Sequence, residues 1–277
     1  MRMRNESLKL ACLVGAALVV LSLGSAAARN DYQEKFEKTL DLAMDGKVFL
    51  SNVSGDIKIY TWDKAQVKID ALKSAKNEEG AKGVTIEVTG DAGVVRIETK
   101  YPKRSWFGGD SGNASVDFTL HIPAKASIDA TSVSGDVALE AIGGSARAKS
   151  VSGDVSLSKA GGGAECSSVS GDVDVADVKG GLDAGSVSGD VTASRIEGSV
   201  EATSVSGDVV LRDIAGAVTV KAKTVSGDVL FEGLSVPKGR YHLESHSGDV
   251  TVNLPAEAAF ELEAGTFSGD IDSNFEI

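Results

Sequence analysis

Cysteine is nearly absent from this 277-residue chain: Cys12 and Cys166 are the two, and only Cys166 lies outside an N-terminal leader. A lone thiol excludes an intramolecular disulfide even in an oxidising compartment. Histidine is as scarce, limited to His121, His242 and His246. His242 and His246 are close in sequence, but no cysteine or carboxylate spacing beside them completes a zinc site. Positive charge is short too, with 28 Lys and Arg against 40 Asp and Glu, a formal net charge of −12. That excess argues against nucleic acid or an anionic membrane as partner. No second long apolar run follows the leader, so no transmembrane span is expected once it is removed.

Residues 1–28 read as a secretory signal peptide. Arg2, Arg4 and Lys9 form its basic region, Leu10 to Leu23 its short apolar run, and Ser25-Ala26-Ala27-Ala28 its small-residue cleavage site. Cys12 is no lipidation site, because Lys9-Leu10-Ala11 precedes it and the apolar run comes after it. Cleavage removes three cations and one anion, taking the net charge from −12 to −14. Export to the periplasm or the cell surface is the expected location. Neither a C-terminal membrane barrel nor a sortase-type tail is read, so surface display would need a separate secretion route.

What the chain does have is a repeat. Ser-Gly-Asp occurs nine times, eight of them in one array ending at Asp136, Asp154, Asp172, Asp190, Asp208, Asp228, Asp249 and Asp270, with an outlier at Asp56. Steps of 18 to 21 residues are too short for a helical hairpin or a propeller blade and suit one coil of a β-solenoid. The expected fold is all-β: a single-stranded β-solenoid, or β-helix, of about 18–21-residue coils with Ser-Gly-Asp turns. Residues 29–277 form one domain, irregular over 46–130 and regular over 131–277.

Aligned as 18-residue units from Thr131, the columns separate by chemistry. Those led by Val133, Val137 and Leu139 are apolar at alternate positions, the period of a half-buried strand, and read as inward. The column led by Ile142 resumes the apolar set. Gly144, Gly162, Gly180, Gly198 and Gly216 then mark a corner, and Ala146 with Ala148 begins a second small apolar stripe. Two or three short strands per coil follow, each pairing with its copy in the next coil about 4.8 Å away. Cys166 falls in the small apolar stripe and reads as a buried hydrophobe.

Gly46 to Ala130 is a looser version of the pattern, with Val53, Ile57 and Ile59 inward. Strands are expected at Val84–Val88, Val94–Thr99 and Val116–Ile122, with excursions at Ser74–Lys82 and Tyr101–Ser115. Asn30–Asp41 reads as a helical turn covering the first edge, and acidic Asp272–Ile277 as a blunt last edge.

The segment Asn52-Val53-Ser54-Gly55-Asp56-Ile57, the following Tyr60-Thr61-Trp62-Asp63 and the Ser-Val-Ser-Gly-Asp-Val ladder resemble the bacterial DUF4097 family of adhesin-type β-repeat proteins. The resemblance implies an envelope-associated binding or structural role and brings no catalytic residues with it.

Two accounts of Ser-Gly-Asp follow from its chemistry. In the first, glycine permits the bend while Ser and Asp hydrogen-bond turn backbone, with Ser132, Ser150, Ser168, Ser186 and Ser204 as a second polar ladder alongside. In the second, Asp136, Asp154, Asp172, Asp190 and Asp208 form a calcium ladder. Stacked carboxylates repel by roughly 0.9 kcal/mol per adjacent pair in water, and hard cations relieve this. Each ion would have to bridge coils. No other cofactor is expected. Trp106 and Phe107, beside Lys103 and Arg104, are candidate exposed ligand-binding aromatics. Gly109-Asp110-Ser111-Gly112 echoes a serine-nucleophile loop with nothing around it to support one. The ladder is too uniform to single out an acid/base pair, so no enzyme is expected.

The function expected is a non-enzymatic, adhesin-like binding or structural protein of the cell envelope, with an envelope protein or a glycan as partner. A periplasmic scaffold or sensor accessory is the alternative, and a β-helix polysaccharide-active enzyme a more distant one. Oligomeric state is left open.

Overall fold

The computed structural model describes residues 32–102, 114–217, 219–233, 239–255, 260–268 and 271–273. Two sheets of twelve and eleven strands face each other, and every coil contributes one strand to each. From Val137–Ile142 onward the coils stack in sequence order, parallel and in register. Val137, Val155, Val173, Val191, Val209, Val229 and Val250 lie above one another and, like Leu139, Leu157 and Val175 beside them, are buried. The facing sheet supplies mostly small groups: Ala146 and Ala148, Ala164 and Cys166, Leu182 and Ala184, Val200 and Ala202. One coil cannot cover its own apolar side; each needs the next, which is why the period is so regular.

Five successive strands of the first sheet, from Val137–Ile142 to Val209–Ile214, carry an extra residue in the manner of a β-bulge. Leu139 pairs with Leu157 and Ile142 with Ala160, while Glu140 and Ala141 both face out. The extra residue is left-handed in five successive coils, at Ala141, Lys159, Asp177, Arg195 and Asp213, with φ between 52° and 66°. The bulge resets the in-out alternation so that Ile142 and its copies return to the core.

The N-terminal end departs from sequence order. Strands Val94–Lys100 and Ser115–Pro123 stack outside Lys47–Ser51 and Ile57–Trp62, although they come later in the chain. Antiparallel strands then close both sheets: Thr85–Gly90 on one, Gln66–Ala75 and Tyr32–Asp41 on the other. The lead-in expected as a helical turn is therefore a strand over Tyr32–Asp41, with Tyr32, Phe36 and Leu40 on its more buried face, a period of two and not 3.6. It does cover the edge, as expected, and its charged outer face discourages further pairing. Ser74 and Ala75, expected in an excursion, end the strand Gln66–Ala75. The helix Glu78–Gly83 follows, capped by Asn77 Oδ1 accepting from the Gly80 N–H at 2.8 Å. Asp272 and Ser273 end the last strand, Ile271–Ser273.

Candidate functional site

The Ser-Gly-Asp corner is built by contacts between coils. Glycine is required there by proximity. A Cβ on Gly171 would lie 2.2 Å from the carbonyl oxygen of Gly153, and one on Gly153 would lie 2.3 Å from that of Gly135. Backbone hydrogen bonds continue through the corner, with the Ser152 N–H donating to Val133 O at 2.9 Å and the Ser170 N–H to Val151 O at 3.0 Å.

The aspartates form a ladder of acceptors. Oδ1 of Asp136 accepts from the Asp154 N–H, Asp154 from Asp172, Asp172 from Asp190, and Asp190 from Asp208, all at 2.8–2.9 Å. Charge-assisted bonds of this kind offset the repulsion of stacked carboxylates. The ladder runs on through Asp228 to Asp249 and back through Asp56, where Asp117 of the out-of-order coil supplies the last acceptor at 3.0 Å. The aspartates read as a calcium ladder are thus brought together, one per coil, with one oxygen of each already engaged.

The flanking residues face the opposite way from expectation. Val53, Val133, Val151, Val169, Val187, Val205 and Val225, read as inward, are 40–49% exposed. Ser132, Ser150, Ser168, Ser186 and Ser204 are buried. Inward positions on Ser127–Thr131 are even-numbered and continue to Ser132, whereas those on Val137–Ile142 begin odd. The bend between them changes parity, so counting back from Val137 by twos reaches the wrong face. The buried hydroxyls donate to the glycine carbonyl one coil back: Ser150 to Gly135, Ser168 to Gly153, Ser186 to Gly171 and Ser204 to Gly189, at 2.8–3.0 Å. Ser132 is the exception. Its hydroxyl has no partner, because Asn52 Nδ2 donates to Gly55 O at 3.0 Å, the position Ser132 would use.

Cys166 is buried, as expected, and burial pushes its thiol up to about 12, with the charges of Glu165 and Asp183 adding. Trp106, Phe107, the Gly109–Gly112 sequence and Asp270 lie outside the described residues. His121 packs between Tyr60 and Trp62, ring centroids 5.7 and 5.6 Å away. His242 Nε2 is 3.2 Å from Glu244 Oε2. Among the described residues no group of three or more His, Cys, Asp or Glu converges as a metal site, and no helix is long and apolar enough to cross a membrane. Charges on the outer face of the second sheet are paired across coils, Arg147 with Asp129 and Glu165, Lys221 with Glu201, and Lys223 with Glu244.

No curated protein matches this chain. Among solved structures, a “putative lipid binding protein” from Parabacteroides distasonis is 14% identical, covering 86% of this chain and 97% of its own, with a TM-score of 0.46. A “putative adhesin” from the same species is 15% identical over 86% and 97%, TM-score 0.41. One from Bacteroides fragilis is 16% identical over 86% and 95%, TM-score 0.40. The family model described as Toastrack DUF4097 matches residues 161–233 and 216–276, within the regular coils. Residues 161–276 thus match the family model that the Ser-Gly-Asp ladder resembles, Toastrack DUF4097.

Proposed function

We propose that this chain is an exported, non-enzymatic protein of the cell envelope, an adhesin-like rod whose Ser-Gly-Asp corner docks another envelope protein. The observation that carries the proposal is the line of seven exposed valines, one per coil, beside the aspartate ladder. A contiguous apolar stripe in water marks an interaction surface. Its partner is a protein surface that sets apolar groups against the valines and Lys or Arg against the aspartates. A second copy fits poorly, since it would bring acidic ladder against acidic ladder. Export rests on the basic, apolar and small-residue segments of residues 1–28. The non-enzymatic reading rests on the sameness of the Ser-Gly-Asp corner, where each coil repeats the same aspartate.

The test has two parts. An epitope placed after Ile277 is expected to be labelled on intact cells; labelling only after permeabilisation would overturn surface adhesion. A photo-crosslinking residue at Val169 or Val187 should give one discrete protein adduct in cells, and the same residue at Glu201, on the outer face of the second sheet, should not. Equal yields from both faces, or no adduct from the corner, would overturn docking there.

A further inference from the structure

The outer face of the sheet that holds Val137–Ile142 carries a trough of about 460 Å³. Side-chain size sets its ends. Over four coils the outward pairs are Ala138 and Glu140, Ser156 and Ser158, Asp174 and Ala176, and Thr192 and Ser194. Larger groups follow at one end, Val210 with Arg212 and Leu230 with Glu232, Arg212 and Glu232 being ion-paired at 3.1 Å. Tyr60 closes the other. Beside this row the left-handed residues put a second side chain outward, among them Lys159 and Arg195, the latter ion-paired with Asp177 at 2.7 Å. Four coils make the trough roughly 19 Å long.

We propose that this trough binds an oligosaccharide bearing free amino groups. Ser156, Ser158, Thr192 and Ser194 line it with hydroxyls, each both donor and acceptor, as the hydroxyls of a sugar require. One pyranose ring with its glycosidic oxygen is about as long as the roughly 4.8 Å rise of a coil. An extended chain lying along the rod therefore meets one coil per ring. Tyr60, 36% exposed and braced by His121, presents an amphipathic ring to the apolar face of a sugar. The lining carries Asp174 and Glu140 but no lysine or arginine; Lys58, in register with Ala138, and Lys159 lie nearby, yet neither lining carboxylate is ion-paired among the described residues. Partial loss of water and the nearby Asp172, Asp154 and Asp190 hold the Asp174 carboxyl above its usual range. A protonated sugar amine would pair with these two carboxylates directly. Uronate or phosphate sugars would be repelled. The trough and the valine stripe are different surfaces, so this site stands or falls separately from the docking proposed above.

Calorimetric titration of the purified chain with a β-1,4-linked glucosamine hexamer tests the site, with a glucose hexamer of the same linkage and spermine as comparisons. The glucosamine hexamer is expected to bind, and the glucose hexamer to bind about tenfold more weakly. Ala176→Trp, which fills the trough, should abolish binding, and Tyr60→Ala should weaken it about fivefold. Both variants should keep the parent's denaturation midpoint; Ser158→Trp serves if Ala176→Trp does not fold. No binding of the glucosamine hexamer would overturn the proposal, as would binding unchanged by either trough-filling variant. Spermine binding as tightly as the hexamer, with Tyr60→Ala without effect, would also overturn it.

Discussion

Oδ1 of Asp154 accepts a hydrogen bond from the backbone N–H of Asp172 across 2.9 Å, one coil further along. The carboxylate thus replaces a backbone acceptor at a bend. Asp154→Ala removes the acceptor and is expected to cost about 2 kcal/mol in urea denaturation. Asp154→Asn keeps an acceptor oxygen and removes a negative charge between two others, so its cost should be under about 0.5 kcal/mol. Equal losses in both variants would show that the charge and not the acceptor matters.

The buried serines predict a contrast within one column. Ser186→Ala leaves Gly171 O without its donor and should cost about 1 kcal/mol. Ser132→Ala removes a buried hydroxyl that has no partner, and should be neutral or stabilising. Asn52→Ala should reverse the second result by freeing Gly55 O for Ser132. Chemical denaturation of the three variants and of the pair Asn52→Ala with Ser132→Ala measures this.

Gly171→Ala drives a methyl into the Gly153 carbonyl, backbone against backbone, and is expected to cost about 3 kcal/mol or more. The same change at Gly216, where a Cβ meets nothing within 4 Å, should cost about 1 kcal/mol, from its φ of +64° alone. Thermal unfolding of the two variants separates crowding from backbone conformation.

Calcium is expected to raise the melting temperature no more than magnesium does at equal concentration. One oxygen of each ladder aspartate already holds an amide, and both ions should act through general screening of a chain of net charge −12. A rise specific to calcium, lost in Asp172→Asn, would show that ions bridge adjacent coils.

Cys166 should resist thiol reagents at pH 8 in the folded chain and react once urea unfolds it. The fold favours its protonated form, with the thiol held at about 12. Stability from this group is therefore fully present below the ordinary thiol range and is lost as pH rises from about 9 toward 12. Cys166→Ala should flatten that alkaline loss. Its neighbours in the column, Ala148 and Ala184, show that the site accepts alanine, so the cost at pH 7 should stay below about 1 kcal/mol.

The coil length, the stacking and the buried columns were legible in the chain because identical residues recur at fixed steps, and only stacking buries Val137, Val155 and Val173 together. The excess of acid and the scarcity of histidine and cysteine had already narrowed the chemistry. Which side of the corner Val133 and Ser132 face was decided by tertiary structure, since a bend can change the parity of a strand and a count by twos cannot see it. The strand Tyr32–Asp41 and the coil of Val94–Lys100 and Ser115–Pro123 likewise depend on which sheet edge stood open, a property of the folded stack. The trough also belongs to the fold: its small floor residues are ordinary strand positions until four coils set them side by side.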